Sequence, residues 1–579
     1  MSRLAKLREA TGLEELAKLL GFKPKSISYV LYIKDSEKKY AKFEIPKRSG
    51  GMRQISAPCS ELMGLQRRLA ELLQECIAEI NEERGVKTVL SHGFRRKHCI
   101  KTNAWAHRNK RYVLNVDLQD FFGSINFGRV RGFFISNRNF QLKEKVATLI
   151  AQIACHDNAL PQGSPCSPVI SNLIGHLLDI RLAELAKQSG CTYSRYADDI
   201  TFSTNKPQFP KNVAVQRDED DHCWVAGADL AKIISRAGFK VNDKKTRLQY
   251  HGSRQEVTGL VVNTKLNARS EYRHVARAMV HRLMKTGSFT RKGYVLDKEG
   301  KGSIQEVEGT VESLSGVLSF IDSVDLYNRM SKIKKADREK PLVTLQDKTA
   351  TERCYGDFLF YKNFLANEKP VVLGEGKTDN VYIQCALRSM FAQYPYLIKK
   401  NADKFDFQFS FFNRTSTTDR VTSLSGGSEQ FKTFVKEYLA YRRKFPIKEK
   451  APPIVIVADS DNGVKQLNGY IRSVTGSAVD MNADFTYIKE NLYVVYTPIA
   501  ADGKGAPIEN LFEKNVLEKE LNGKKFNPSN SGINPAKEYG KAYFAQHVVK
   551  ADADSIDFSG FKVLLDRIAK AIAHGSAKV

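Results

Sequence analysis

Two adjacent acids, Asp198 and Asp199, stand in "TYSRYADDITFS" (192–203) between residues that alternate as β-structure. The spacing predicts a hairpin with the acidic pair at its tip. Neighbouring like charges repel, and a metal ion is the obvious counter-charge. A third acid, Asp117, closes the predicted buried strand "YVLNVDLQDFF" (112–122). Carboxylates on two strand ends are what two-metal phosphoryl transfer needs. They bridge two Mg²⁺ ions about 3.5–4 Å apart, one activating the attacking hydroxyl and the other steadying the leaving oxygen. Between them lies "ALPQGSPCSPVISN" (159–172), a rigid Pro/Gly turn with the amide of Gln162 ahead of a predicted helix. Alone it reads as an ordinary helix start. Beside metal-binding carboxylates it fits a surface that holds a base pair or nucleotide.

The order Asp117, then P-Q-G-x-x-x-S-P at 161–168, then Y-A-D-D at 196–199 resembles the palm of reverse transcriptases. The resemblance implies that Asp117, Asp198 and Asp199 are the metal-binding catalytic triad. It also implies that Phe122 is the aromatic gate against a ribose 2′-hydroxyl and that Gln162 contacts nucleotide and template. By the same resemblance, Lys47 and Arg53 in "FEIPKRSGGMRQISAP" (43–58) form the fingers' triphosphate clamp, where an Arg fork suits phosphate oxygens. Lys245 in "NDKKTR" matches a lysine near the pyrophosphate. Two further signatures, "NAWAH" (103–107) and "VTG" (257–259), together with "HGF" (92–94), resemble those of the retron family. Asn103 and His107 are thereby expected on the substrate side, although a helix cap and a satisfied histidine explain them equally well in isolation. Retron enzymes start synthesis at a guanosine 2′-hydroxyl of their own structured RNA and make branched msDNA. The resemblance covers roughly residues 1–330 and implies dNTPs and a cognate non-coding RNA (msr-msd) as partners.

A second constellation lies downstream. "VVLGEGKTD" (371–379) and "IVIVADSDNG" (454–463) are apolar strands ending in acids, Glu375 with Asp379 and Asp459 with Asp461. In a parallel α/β sheet, strand C-termini face the ligand crevice, so Glu375, Asp459 and Asp461 are expected to converge on Mg²⁺ or Mn²⁺. Glu375 is also a candidate general acid or base. Two unrelated turns with helix-capping acids are the plainer alternative. Together, E-G-x-x-D and D-x-D-x-G resemble the Toprim fold of topoisomerases, primases and nucleases, over about 370–515. No paired cysteines support a primase, and little chain remains for a topoisomerase, so a nuclease is preferred. Glu509 in "APIENLF" resembles a further acid of Toprim nucleases; "SLSGGSEQF" (423–431) and Lys524 with Lys525 are weaker phosphate candidates. A Toprim module that binds nucleic acid without cutting it is the alternative.

The rest of the chain must position these groups. Its 579 residues suggest about three to four domains. A net charge of +27 calls for a polyanionic partner, and nucleic acid is favoured over membrane because no basic amphipathic helix or lipidation signal is present. The nine cysteines form no C-x-x-C, which argues for reduced thiols and against structural zinc. No run of about 18 apolar residues predicts a membrane span, and a cytoplasmic bacterial protein is expected. "SISYVLYI" (26–33) and "VTGLVVN" (257–263) read as strands, 268–335 as basic helices, and "RDEDDH" (217–222) as a solvated loop. Arg273, Arg277, Arg282 and Lys285 lie along one of those helices.

The expected architecture is an α+β right-hand polymerase followed by an α/β Toprim domain with a parallel sheet. Fingers and palm occupy 1–265, a helical thumb 266–335, a linker 336–369, and the Toprim domain with its C-terminal extension 370–579. A fusion of this kind resembles bacterial anti-phage systems in which msDNA restrains the nuclease until infection. Basic chains on structured RNA also assemble into larger particles, so a homo-oligomer is compatible with the sequence.

Overall fold

The computed structural model describes every residue except 1, 48–50, 86–87, 218–222, 297–301, 333–347, 403, 423, 425–427, 445–450, 500–504, 530–531 and 578–579. It divides into two units, Met1–Ser270 with Val324–Lys332, and Glu271–Ser323 with Ile333–Val579. The chain is mixed α+β. Among the described residues, no helix is long and apolar enough to cross a membrane.

The first unit is built on an antiparallel sheet ordered Thr192–Tyr196, Asp199–Thr204, Tyr112–Gln119, Lys240–Val241, with Arg247–Tyr250 also pairing with Tyr112–Gln119. Val113, Leu114, Val116 and Leu118 are all buried, so the central strand is covered on both faces. Helix Ser167–Ser189 lies over the sheet and buries Val169, Ile170, Ile174, Leu178 and Leu182. A long helix, Ser60–Glu83, joins this core through Leu65, Leu69, Leu72 and Leu73. An antiparallel hairpin, Tyr40–Pro46 with Met52–Pro58, stands beside it, with most of its residues exposed.

Several expected elements differ. Residues 26–33 are helical rather than a strand: Pro24 sits in the first turn of helix Pro24–Ser28, which runs on as a π-turn, Tyr29–Ile33. A helix leaves Tyr29, Tyr32 and Ile33 exposed while Ile27 and Val30 bury. The stretch 257–263 is a tight hairpin, Glu256–Val257 against Leu260–Val261, because Thr258 and Gly259 both take positive φ, 47° and 79°. The 268–335 block is interrupted by an antiparallel hairpin, Thr290–Leu296 with Gly302–Glu308, between helices Ser270–Thr286 and Val311–Lys332. Most of the acidic 217–222 run lies outside the described residues, as does 336–347 of the expected linker. Residues 350–365 are not linker but helix, and Tyr355, Phe358, Phe360 and Phe364 bury.

The second unit contains a five-stranded sheet ordered Ser410–Phe411, Val371–Gly374, Ile454–Ala458, Leu492–Tyr496, Thr486–Lys489. Its first three pairings are parallel and the last is antiparallel. Strand alternation sends Val372, Val455, Val457, Tyr493 and Val495 into one apolar core and Leu373, Ile454, Ile456, Leu492 and Val494 into the other. Helices Asp379–Ser389 and Lys562–Ala577 cover the first face; Ser428–Lys444 and Lys465–Thr475 cover the second. Two buried faces explain why these strands read as continuous apolar runs.

Candidate metal-binding active sites

The first site begins with a register. Asp117 pairs with Asp199 across antiparallel strands, and Tyr196 pairs with Asp199 around the turn Ala197–Asp198. Ala197 takes φ 57°, which tightens that turn, and the Leu118 N–H donates to the Asp198 carbonyl at 3.0 Å. The three carboxylates therefore share one end of the sheet. Asp117 is buried; it accepts from Lys245 Nζ at 2.8 Å and Asn242 Nδ2 at 3.0 Å. Desolvation, then repulsion from Asp198 and Asp117, pushes Asp199 up to about 6. Desolvation followed by Asp117 raises Asp198, while Lys245 and Arg53 pull it back.

Arg53 thus acts electrostatically on Asp198 from the hairpin. Lys47 is exposed at that hairpin's turn, its N–H bonded to Gly51 O at 2.9 Å. Gln162 sits on the P-Q-G turn, whose carbonyl accepts from the Ser56 N–H at 2.8 Å. Gly163 makes this contact possible: its φ is +128°, and a Cβ there would lie 2.6 Å from Ser56 O. Phe122 is half-buried in the turn after the Asp117 strand, its ring 6.2 Å from that of Phe94.

Asn103 and His107, expected on the substrate side, are both fully enclosed. Ser194 Oγ donates to Asn103 Oδ1 at 2.7 Å, so its lone pair receives His107 Nε2–H at 2.7 Å, and His107 Nδ1 accepts from Ser203 Oγ at 2.8 Å. Ser194 and Ser203 belong to the two strands of the acidic hairpin. The pair braces that hairpin from behind, and burial pushes His107 down to about 3, leaving it neutral. Sequence reasoning missed a second brace. Arg195, fully buried, pairs with Asp179 through Nε at 2.6 Å and Nη2 at 2.7 Å, and Nη1 donates to Ala197 O at 2.9 Å. Arg195 inside an alternating strand was the available signal, because an unpaired buried charge is too costly to leave alone.

A family model for reverse transcriptase (RNA-dependent DNA polymerase) matches residues 45–263. The Retron Mx162 and Mx65 reverse transcriptases of Myxococcus xanthus are each 34% identical, over 55% and 52% of this chain. The chain spans less than two thirds of those two relatives, 65% and 64% of their lengths. The Retron Ec86 reverse transcriptase of Escherichia coli is 30% identical over 57% of this chain and 92% of its own length. The chain belongs to the retron reverse transcriptase family. Among solved structures, apo telomerase from Candida tropicalis is a weak likeness (TM-score 0.30, 12% identity, 56% of this chain and 62% of that one).

The chain carries its second acidic grouping in the C-terminal unit. Gly374 is level with Val457 in the parallel register, so Glu375 and Asp459 leave neighbouring strands side by side. Asp379 and Glu509, both buried, join them. Desolvation, followed by Asp379, Glu375 and Glu509, pushes Asp459 up to about 8. Burial and then Asp379 raise Glu375, whose Oε2 is enclosed with no hydrogen-bond partner. Asp379 accepts from the Gly376 N–H at 2.7 Å, and Asp459 from the Ile508 N–H at 2.9 Å, which draws in the Glu509 loop. Lys541 pairs with Glu509 at 3.0 Å. Asp461 is exposed at the rim, where its charge adds to the upward shift of Glu375, and it caps its own loop through the Gly463 N–H at 2.8 Å. Residues 423 and 425–427 of the "SLSGGSEQF" turn lie outside the described residues. Lys525 faces Glu520 at 3.6 Å and lies in a separate two-stranded parallel sheet, Lys525–Phe526 with Glu538–Tyr539.

Among the described residues, no three His, Cys, Asp or Glu side chains close into a ready-made metal cage. The two groupings are open sets of hard oxygen donors, in which burial and then neighbouring carboxylates raise Asp198, Asp199, Glu375, Asp459 and Glu509. That donor chemistry fits Mg²⁺ at both.

Proposed function

We propose that the chain is a retron RNA-directed DNA polymerase that copies its own non-coding RNA into branched msDNA, fused to a metal-dependent nuclease of Toprim type. The observation that carries the polymerase half is the register of Asp117 against Asp199 with Asp198 at the adjacent turn. Fingers and palm would occupy 1–265 and the thumb 266–335. Asp117, Asp198 and Asp199 would hold Mg²⁺, which when bound activates the attacking hydroxyl and stabilises the leaving pyrophosphate. Lys245, already at Asp117, and Arg53, already felt by Asp198, present cations to the triphosphate side. Gln162 and Phe122 orient the dNTP; Lys47 extends the clamp. The hairpin braces keep the carboxylates in place, since catalysis loses rate steeply when reacting groups are misplaced.

Synthesis would begin from a guanosine 2′-hydroxyl. The test is msDNA in cells carrying the Asp198→Ala, Asp199→Ala double variant: it disappears, and a branched product that persists would refute the assignment.

The nuclease half is supported by Glu375 and Asp459 just beyond the C-terminal ends of two parallel strands, with the buried Asp379 and Glu509 beside them. Glu375, Asp379, Asp459 and Glu509 would hold Mg²⁺ or Mn²⁺, with Asp461 at the rim. The bound msDNA would hold this activity in check until phage infection disturbs it, releasing cleavage of cellular nucleic acid. Glu375→Ala removes toxicity when the system is deregulated; undiminished toxicity would sink the nuclease reading.

A further inference from the structure

The first unit contains a cavity of about 290 Å³ that the polymerase reading does not use. One wall is a single face of helix Ser60–Glu83, where Gln74, Ala78 and Asn81 follow the i, i+4, i+7 spacing. The opposite walls bring the rings of Phe94 and Phe133, and Arg95 enters from the loop before helix Ile100–Trp105. Among the described residues, neither the amides of Gln74 and Asn81 nor the Arg95 guanidinium has a hydrogen-bond or ion-pair partner. The carboxylate in the lining, Asp179, is spent on Arg195 and Tyr193. The cavity is therefore mainly apolar, with the Gln74 and Asn81 amides unspent and, among the described residues, no carboxylate paired with the Arg84, Arg95 or Arg96 guanidinium that lines it.

We propose that this cavity binds one nucleotide, its base between Phe94 and Phe133, its edge read by Gln74 and Asn81, and its phosphate on Arg95. Each feature answers to part of that ligand. Aromatic faces stack bases, amides match the mixed donor and acceptor edge of a base, and a guanidinium grips phosphate. An inorganic anion would use only the guanidiniums and leave the aromatic rings and amides without a role. The volume lies near the lower end of small-molecule sites, which suits one nucleotide and not a dinucleotide.

The position suggests the source. Phe94 lies 6.2 Å from Phe122, and Gly93 passes so close to the acidic hairpin that a Cβ would sit 2.6 Å from Ala197 N. The occupant is a neighbour of the catalytic strand end, and is either an unpaired nucleotide of bound RNA or a free mononucleotide. The assignment stands whether or not the polymerase reading does.

The full-length protein is titrated calorimetrically with AMP, GMP, CMP and UMP. It is also photocrosslinked to single-stranded RNA carrying 4-thiouridine, with mapping of the crosslinked peptides. Arg95→Ala and Asn81→Leu remove ligand contacts, and Ala78→Phe fills the cavity without touching a polar group. Saturable mononucleotide binding that weakens at least tenfold in the variants identifies a free nucleotide. Crosslinks in 88–96 or 133–140 that vanish in the variants identify an RNA nucleotide. Neither signal, or signals unchanged in all three variants with native melting profiles, would overturn the assignment. A variant that does not fold leaves the decision to the other two.

Discussion

Asp117 and Asp199 stand opposite each other in an antiparallel register, and Lys245 holds Asp117 at 2.8 Å. Two carboxylates at one sheet end, with a third at the turn beside them, are held together by backbone pairing rather than by mutual attraction. Asp199→Asn keeps the shape and removes the charge. Primer extension by the variant should fall by on the order of a thousandfold, since metal-held charge stabilisation is worth several kcal/mol. A loss below tenfold would place the metal ligands elsewhere.

Gly163 is the point where the Gln162 turn leans on the hairpin Tyr40–Pro46 with Met52–Pro58. Gly163→Ala puts a Cβ 2.6 Å from Ser56 O at a φ of +128°. The expected cost exceeds about 1 kcal/mol in unfolding free energy. The KM for dNTP should rise more than kcat falls, as read from steady-state extension assays.

The Arg195–Asp179 pair is fully buried. Arg195→Met leaves the Asp179 charge alone and should destabilise the first unit by about 3–5 kcal/mol, whereas Arg195→Met with Asp179→Leu should recover most of the loss. Denaturant unfolding of the two variants distinguishes a pair that is needed from one that is replaceable.

His107 supplies a pH dependence. Its folded pKa of about 3 lies below the ordinary histidine value, so the unfolded chain binds the proton more readily. Its contribution is complete above about pH 6.5 and is lost as pH falls, at roughly 1.4 kcal/mol per unit. Between pH 7 and 5.5 the wild type should lose about 1 kcal/mol more than His107→Asn in urea titrations. Equal losses would mean that His107 is not buried as a neutral ring.

In a chain already carrying Asp198→Ala and Asp199→Ala, the proposed second metal site can be read with the first one disabled. Saturating Mg²⁺ should stabilise that protein by about 2.7 kcal/mol at a hundredfold excess over Kd, seen as a higher melting midpoint. Glu375→Gln with Asp459→Asn should abolish the shift. A shift that survives would move the metal away from these residues.

The sequence by itself determined the chemistry on offer: acids closing apolar strands, a Pro-Gln-Gly turn and an excess of cations are local patterns of residue type and spacing. Strand assignments with flanking turns were legible for the same reason, as at 112–119 and 454–458. Tertiary structure decided which of those acids meet. Parallel register and the Ile508 contact bring Asp379 and Glu509 to Asp459, while Asp461 stays at the exposed rim beside Glu375 and caps its own loop. It also decided that Asn103 and His107 face inward, because their partners, Ser194 and Ser203, come from strands some ninety residues away. Periodicity reports which side of an element is apolar. It carries no record of which distant strand will be folded against that side, and burial, charge repulsion and hydrogen-bond partnership all depend on that meeting.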